Sequence, residues 1–245
     1  MISKTHITYI RSLHDKSIRH SEWIFLIEWL KSITEFLDSG FEIVEWFFTE
    51  KFALSRQFSF PVHIVTDAEL SRITTLNTND SWVLLVKMRA NMLPKIQKDE
   101  IVLVLDRIND PGNLWTIIRI ADWYGISHII ASRDTVDCYN SKVLMATMGS
   151  FSRVSIYYTD IVQYLSKISW KIYWAYLDGE NIHTKKIHQE WIHIVIGSEA
   201  HGISSEVWKY ITDKITIPRF GLAESLNAGV ATAIIVDRVV WNTNK

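Results

Sequence analysis

Three short stretches of this 245-residue chain place polar or charged side chains beside the turn chemistry that would hold them still. The first is Asp110-Pro111-Gly112-Asn113, followed by a helix-like run from Leu114 to Tyr124 that carries Arg119 among Ile117, Ile118 and Ile120. Pro-Gly favours a tight turn, Asn113 is suited to cap a helix, and Gly125 to end it. Read alone, it is a strand-turn-helix with a surface arginine, a permanent cation. In the second, Ile194 to Ile203, a buried strand runs into a loop where Gly197 and Gly202 bracket Glu199 and His201. Glycines let backbone approach a ligand closely, and open α/β sheets bind ligands at the carboxyl ends of their strands. An ordinary loop with a solvated glutamate is the competing reading. The third, Ile215 to Ala231, passes Pro218 and Gly221 to Ser225, a plausible cap, and Asn227. A helix rich in Ala228, Gly229, Ala231 and Ala233 follows, whose small residues permit close packing.

The elements that must position these stretches are legible as periodicity. Ile101-Val-Leu-Val-Leu105 is a continuous apolar run of the kind buried on both faces of a parallel sheet. Ser127–Ala131, Lys171–Tyr176 and His193–Ile196 repeat it with helix-like stretches between, which predicts an open parallel α/β sheet. Before Met88 the pattern predicts a smaller α/β unit. It has a helix from Thr5 to Arg19, strands at Ile24–Ile27, Phe41–Phe48, Val62–Val65 and Trp82–Val86, a helical Ser32–Leu37, and a helix capped by Asp67. Pro94 and polar residues mark a linker. The predicted organisation is residues 1–90 as a small domain, 91–99 as linker and 100–245 as a larger domain.

Composition bounds the function. With 48% hydrophobic and 22% charged residues the chain is globular, and its net charge of -1 advertises no global attraction to nucleic acid. Cys138 is the sole cysteine, and no Cys/His cluster has zinc spacing, so no metal site is expected. His183, His188 and His193 lack the spacing of ligands and are read as structural or solvated. The aromatics Phe25, Phe36, Phe47 and Phe48 are read as core. His14, Lys16, Arg19 and His20 with Arg11 form either an RNA-contacting basic patch or a solvated face. No signal peptide or membrane span is evident, so the chain reads as cytoplasmic. No G-x-G-x-x-G follows the 101–105 strand, so a dinucleotide loop is unsupported.

In their order and spacing, Asn113 to Arg119, Gly197 to Gly202 and Pro218 to Asn227 resemble the three motifs of the SpoU/TrmH RNA 2′-O-ribose methyltransferases. The resemblance covers most of residues 101–240. More loosely, the N-terminal part resembles the ribosomal-protein-like (L30e-like) substrate-binding domain of many members. Leu177-Asp-Gly-Glu-Asn181 and Met148-Gly-Ser-Phe151 fit that layout. The resemblance implies a trefoil-knotted catalytic domain, S-adenosylmethionine as cofactor, RNA as substrate (ribosomal rather than transfer RNA), and a homodimer paired through the C-terminal domain. By position, Ile196, Gly197, Gly202, Ile217, Pro218 and Leu226 would hold the cofactor. Asn113, Arg119, Glu199, Ser225 and Asn227 would form the catalytic site, with Arg119 clamping a phosphate and stabilising oxyanion charge.

The chain departs from that family in one repeated way. Trp29 and Trp115 stand where glycine is usual, and Trp23, Trp82, Trp170, Trp174 and Trp191 occupy similar places, whereas Trp123 matches relatives. Glycine usage of about 7% predicts about 17 glycines; the chain has 9, beside 11 tryptophans. Some cells read UGA as glycine and others as tryptophan, and the wrong reading would give this pattern. Two rival functions stay open: an RNA-binding protein that keeps the fold without turnover, and an unrelated α/β enzyme acting on a small nucleotide.

Overall fold

The computed structural model describes residues 2–28, 33–50, 58–74, 76, 82–187 and 192–243. Trp29, Trp191 and His188 lie outside the described residues. The chain forms two compact units, Met1–Ala90 with Tyr139–Ser152, and Asn91–Cys138 with Arg153–Lys245. Residues 139–152 therefore leave the 100–245 block of the sequence reading and group with the N-terminal unit.

That unit opens with α1 (Lys4–Ser12) and α2 (Lys16–Glu22), two helices where the periodicity predicts one. The break has a local cause: the Asp15 carboxylate accepts from the backbone N–H groups of Ser17 and Ile18 and starts a new helix. Arg19 is buried, and its guanidinium donates to the carbonyls of Leu13 and His14. It joins the helices and does not belong to an exposed basic patch. There follow β1 (Ile24–Ile27), α3 (Ile33–Leu37), β2 (Ile43–Phe48), β3 (Val62–Ile64), α4 (Asp67–Ile73) and β4 (Trp82–Lys87). The cap of α4 is Thr66, one residue before the predicted Asp67, because Thr66 and Glu69 close a reciprocal capping box. The sheet order is β1-β4-β2-β3, antiparallel except for β2 with β3. Ile7 and Ile10 of α1, Leu13 just after it, and Leu70 and Ile73 of α4 pack in one core with Leu26, Phe47, Val83 and Leu85 of the sheet.

The second unit begins β5 (Ile101–Asp106), α5 (Pro111–Trp123), β6 (His128–Ser132). The chain then forms α6 (Ser141–Ala146) and a 3-10 turn at Ser150–Ser152, both assigned to the first unit. There Phe25 meets Tyr139 at 4.7 Å and Phe151 at 6.0 Å between ring centroids. Back in the second unit come β7 (Ser155–Thr159), α7 (Ile161–Leu165), β8 (Ile172–Asn181), β9 (Ile192–Gly197), α8 (Ser205–Trp208), β10 (Asp213–Thr216) and α9 (Ala228–Thr243). All six strands are parallel, in the order β10-β8-β9-β5-β6-β7. The predicted α/β sheet is thus present. Val102, Leu103, Val104 and Leu105 of β5 are all 0% exposed, each contributing about 1.5–3 kcal/mol by burial.

His193 sits in the middle of β9, fully buried, with its Nε2 2.9 Å from the Tyr164 hydroxyl. Burial alone lowers the imidazole to about 4 and pushes the Tyr164 phenol up to about 12. Both groups are neutral in the fold. The unfolded chain binds a proton at His193 below about pH 6.5 and the folded one only near 4, so acid favours unfolding across that window. The urea midpoint is expected to fall between pH 6.5 and 4 and to fall less in His193→Gln, which can still bond Tyr164 but does not titrate.

Candidate active site

β5 and β9 lie side by side, with Asp106 opposite Gly197 at their carboxyl ends. Asp106 is buried; one carboxylate oxygen accepts the Ser204 N–H at 2.6 Å and the other the Arg107 side chain at 3.1 Å. It thereby ties down the loop after β9. Within that loop Ser198 and Gly202 exchange two backbone hydrogen bonds, of 3.0 and 2.8 Å. Gly202 is left-handed at φ +62°, and a Cβ on Gly197 would overlap the Gly202 carbonyl. Both glycines are thus demanded by the loop itself. Sequence reasoning passed over Asp106; a carboxylate closing an apolar strand was the signal available.

The opposite wall comes from an irregularity. Lys214 of β10 pairs with Trp174, but its neighbour Ile215 pairs with Glu180. Residues 175–179 of β8 therefore stand out of the ladder, and Ala175, Tyr176 and Leu177 line a cavity of about 720 Å³. Nothing in the apolar pattern announces this wall. Beyond β10 the chain passes Ile217 and Pro218 into a loop whose Phe220 and Leu222 are fully exposed. Ile196, Gly197, Gly202, Ile217, Pro218 and Leu226, the six residues singled out for the cofactor, all line the same cavity, as do Glu199 and Ser225.

The polar groups converge on Asn227. Its Nδ2 donates to Asn113 Oδ1 at 2.7 Å and to Glu199 Oε1 at 2.8 Å. Its Oδ1 accepts the N–H groups of Gly229 and Val230, at 3.0 and 3.2 Å. Asn227, and not Ser225, therefore caps α9. Glu199 Oε1 also accepts the Ala228 N–H at 3.2 Å, so a negative charge sits at the positive end of a helix. Asn113 is likewise not a cap: Asp110 caps α5 by accepting the Asn113 N–H at 3.0 Å, with Pro111 in the first turn. This frees the buried Asn113 side chain for Asn227. Ser225 is exposed. Arg119 is apart from the group: it is exposed on α5, is not part of the cavity lining, and its guanidinium lies 5.9 Å from the Trp115 ring centre. Asn113, Glu199 and Asn227 form one network; Arg119 does not join it.

A cavity walled mainly by apolar side chains, with the carboxylates of Glu199 and Glu224 in its lining, suits a ligand with an apolar body and a few hydrogen-bonding edges. Among the described residues, no group of three or more His, Cys, Asp or Glu could hold a metal ion, and no helix is long and apolar enough to cross a membrane. Asn227→Ala removes a cap and both donors, and is expected to lower stability by at least about 0.5–2 kcal/mol in thermal unfolding. Asn227→Asp keeps the capping oxygen but loses both donors and sets a second carboxylate against Glu199, so its thermal midpoint is expected to fall below that of the unmodified protein.

Comparison with known proteins gives a consistent assignment. Residues 100–237 match the model of the SpoU rRNA Methylase family, and residues 4–83 that of the MRM3-like substrate binding domain. The Bacillus subtilis 23S rRNA (guanosine(2553)-2'-O)-methyltransferase RlmP is 26% identical over 231 residues, 92% of each chain. A Porphyromonas gingivalis protein assigned as a TrmH-family RNA methyltransferase superposes with a TM-score of 0.88 at 32% identity, covering 98% of each chain. An rRNA methyltransferase from Sinorhizobium meliloti, solved with bound AdoMet, gives 0.85 at 27% identity, covering 98% of this chain and 96% of that one.

Proposed function

The chain belongs to the SpoU rRNA methylase family, and on that footing we propose that it methylates a ribose 2′-hydroxyl of RNA, ribosomal rather than transfer RNA, from S-adenosylmethionine. The observation that carries this reading is the Asn113–Asn227–Glu199 network at the rim of the cavity. The choice of ribosomal RNA is supported by the relative RlmP, which matches along 92% of both chains, and by the substrate-binding match over residues 4–83.

The residues present fit the cofactor. Ile196, Ile217, Pro218 and Leu226 offer apolar walls to a flat nucleoside, and Gly197 and Gly202, bare of side chains, let the backbone come close to it. A volume of about 720 Å³ is of the right size. Bound there, S-adenosylmethionine supplies an electrophilic methyl group on a sulfonium. The chain's own work is to orient the 2′-hydroxyl and help its proton leave. Glu199 and Asn113, fixed by Asn227, position the ribose, and Ser225 lines its approach. Arg119, a permanent cation, meets the RNA phosphate from the exposed face of α5 and stabilises developing oxyanion charge.

The proposal includes a homodimer paired through the larger unit, a trefoil knot in that unit, and a cytoplasmic location. For the dimer, α5 and α9 pack together, with Tyr124 donating to Asp237 at 2.9 Å. Trp123 and Trp241 beside that bond are 83% and 58% exposed, an apolar surface a second copy would cover. For the knot, the support is the match of residues 100–237 to the SpoU family model.

One observation favours a second reading, an RNA-binding protein without turnover: Arg119 stands beside Trp115 and outside the cavity lining. Incubation with labelled S-adenosylmethionine and unmodified bacterial RNA separates the two. Label on a ribose 2′-oxygen of ribosomal RNA, reduced at least about 100-fold in Arg119→Ala, is expected. Binding of cofactor and RNA with no transfer would support the second reading instead.

A further inference from the structure

The helices α2, α3, α5 and α6 are each followed within three residues by left-handed backbone: Trp23 at φ +57°, Gly40 at +74°, Gly125 at +70°, and Met148 at +51° with Gly149 at +95°. Glycine, the usual residue at a left-handed helix end because it has no Cβ to collide with the backbone, stands at three of these five positions. Trp23 is the bulky exception. Its backbone is held on both sides: the N–H donates to the Arg19 carbonyl, and the carbonyl accepts the Met88 N–H at 2.8 Å. The conformation is set by the junction of α2 and β1, not by the side chain. The ring is 52% exposed, so burial does little to offset the strain. The other non-glycine residues with positive φ among those described are Asp99, Arg107 and Met148. Aspartate tolerates that region and the other two are unbranched, whereas a bulky aromatic is an outlier there.

We propose that position 23 is glycine in the polypeptide its own cell makes, encoded by UGA read as glycine, and that Trp23 is the tryptophan reading of that codon. That reading of UGA also fits the 9 glycines beside 11 tryptophans.

The codon tests this first: UGA at position 23 is expected, and UGG there overturns the proposal. In protein purified from the source cell, fragment-ion sequencing of the tryptic peptide from His20 to Lys31, which also holds Trp29, is expected to read glycine at position 23; tryptophan at that position would refute it. The physical argument is tested separately. Trp23→Gly is expected to raise Tm by about 2–8 °C, and Trp23→Ala, which keeps the Cβ, to give little of that gain. Equal gains would assign the effect to the exposed ring and remove the backbone argument.

Discussion

The rim of the cavity depends on a single primary amide. Asn227 donates through one end to Asn113 and Glu199 and accepts through the other from the first free N–H groups of α9. No other small side chain offers that combination: aspartate has no donor, and a serine hydroxyl has one. Because the three partners lie on separate segments of the larger unit, the helix start, the loop after β9 and the first turn of α5 are all placed by one residue. Glu199 is held by two donors on one oxygen, and Asn113 is buried with its amide aimed at the same point. The polar geometry is therefore rigid before any ligand arrives, which is what positioning chemistry requires.

Main chain shapes the rest of the cavity, which apolar side chains then line. Gly197 and Gly202 are small because two backbones meet there, not because the ligand needs space. The slip in register between β8 and β10 adds the facing wall. Beneath both, Asp106 holds the loop to the sheet through a buried carboxylate that accepts one backbone N–H. Side chains from the sheet interior set where the backbone lies, and the backbone makes the site.

This explains what could be read from the residues alone. Strands buried on both faces show as unbroken apolar runs, so β5 and β9 were legible, and with them the class of fold. The motif glycines were legible for the same reason. Which residue caps which helix was not. Asp110 and Asn113 are both competent caps within one turn, and so are Ser225 and Asn227. The choice is made by a hydrogen bond between Asn113 and Asn227, 114 positions apart, which local propensity does not register. The division of Thr5–Arg19 into two helices fails in a similar way, since Asp15 competes as a cap inside a periodic run. The cavity wall at 175–177 was invisible because it arises from unequal pairing of two strands, a property of neither strand by itself.

The return of residues 139–152 to the N-terminal unit bears on how the protein is born. When Ala90 leaves the ribosome the small unit is still missing Tyr139 and Phe151, the rings that cover Phe25 and Phe41. Its aromatic face waits, exposed, for about another sixty residues of synthesis, roughly 3–12 s at ordinary elongation rates. The N-terminal unit is thus begun before the larger one but cannot close until Phe151 has been made, after β5, α5 and β6. That interval is when the nascent chain has most need of a chaperone.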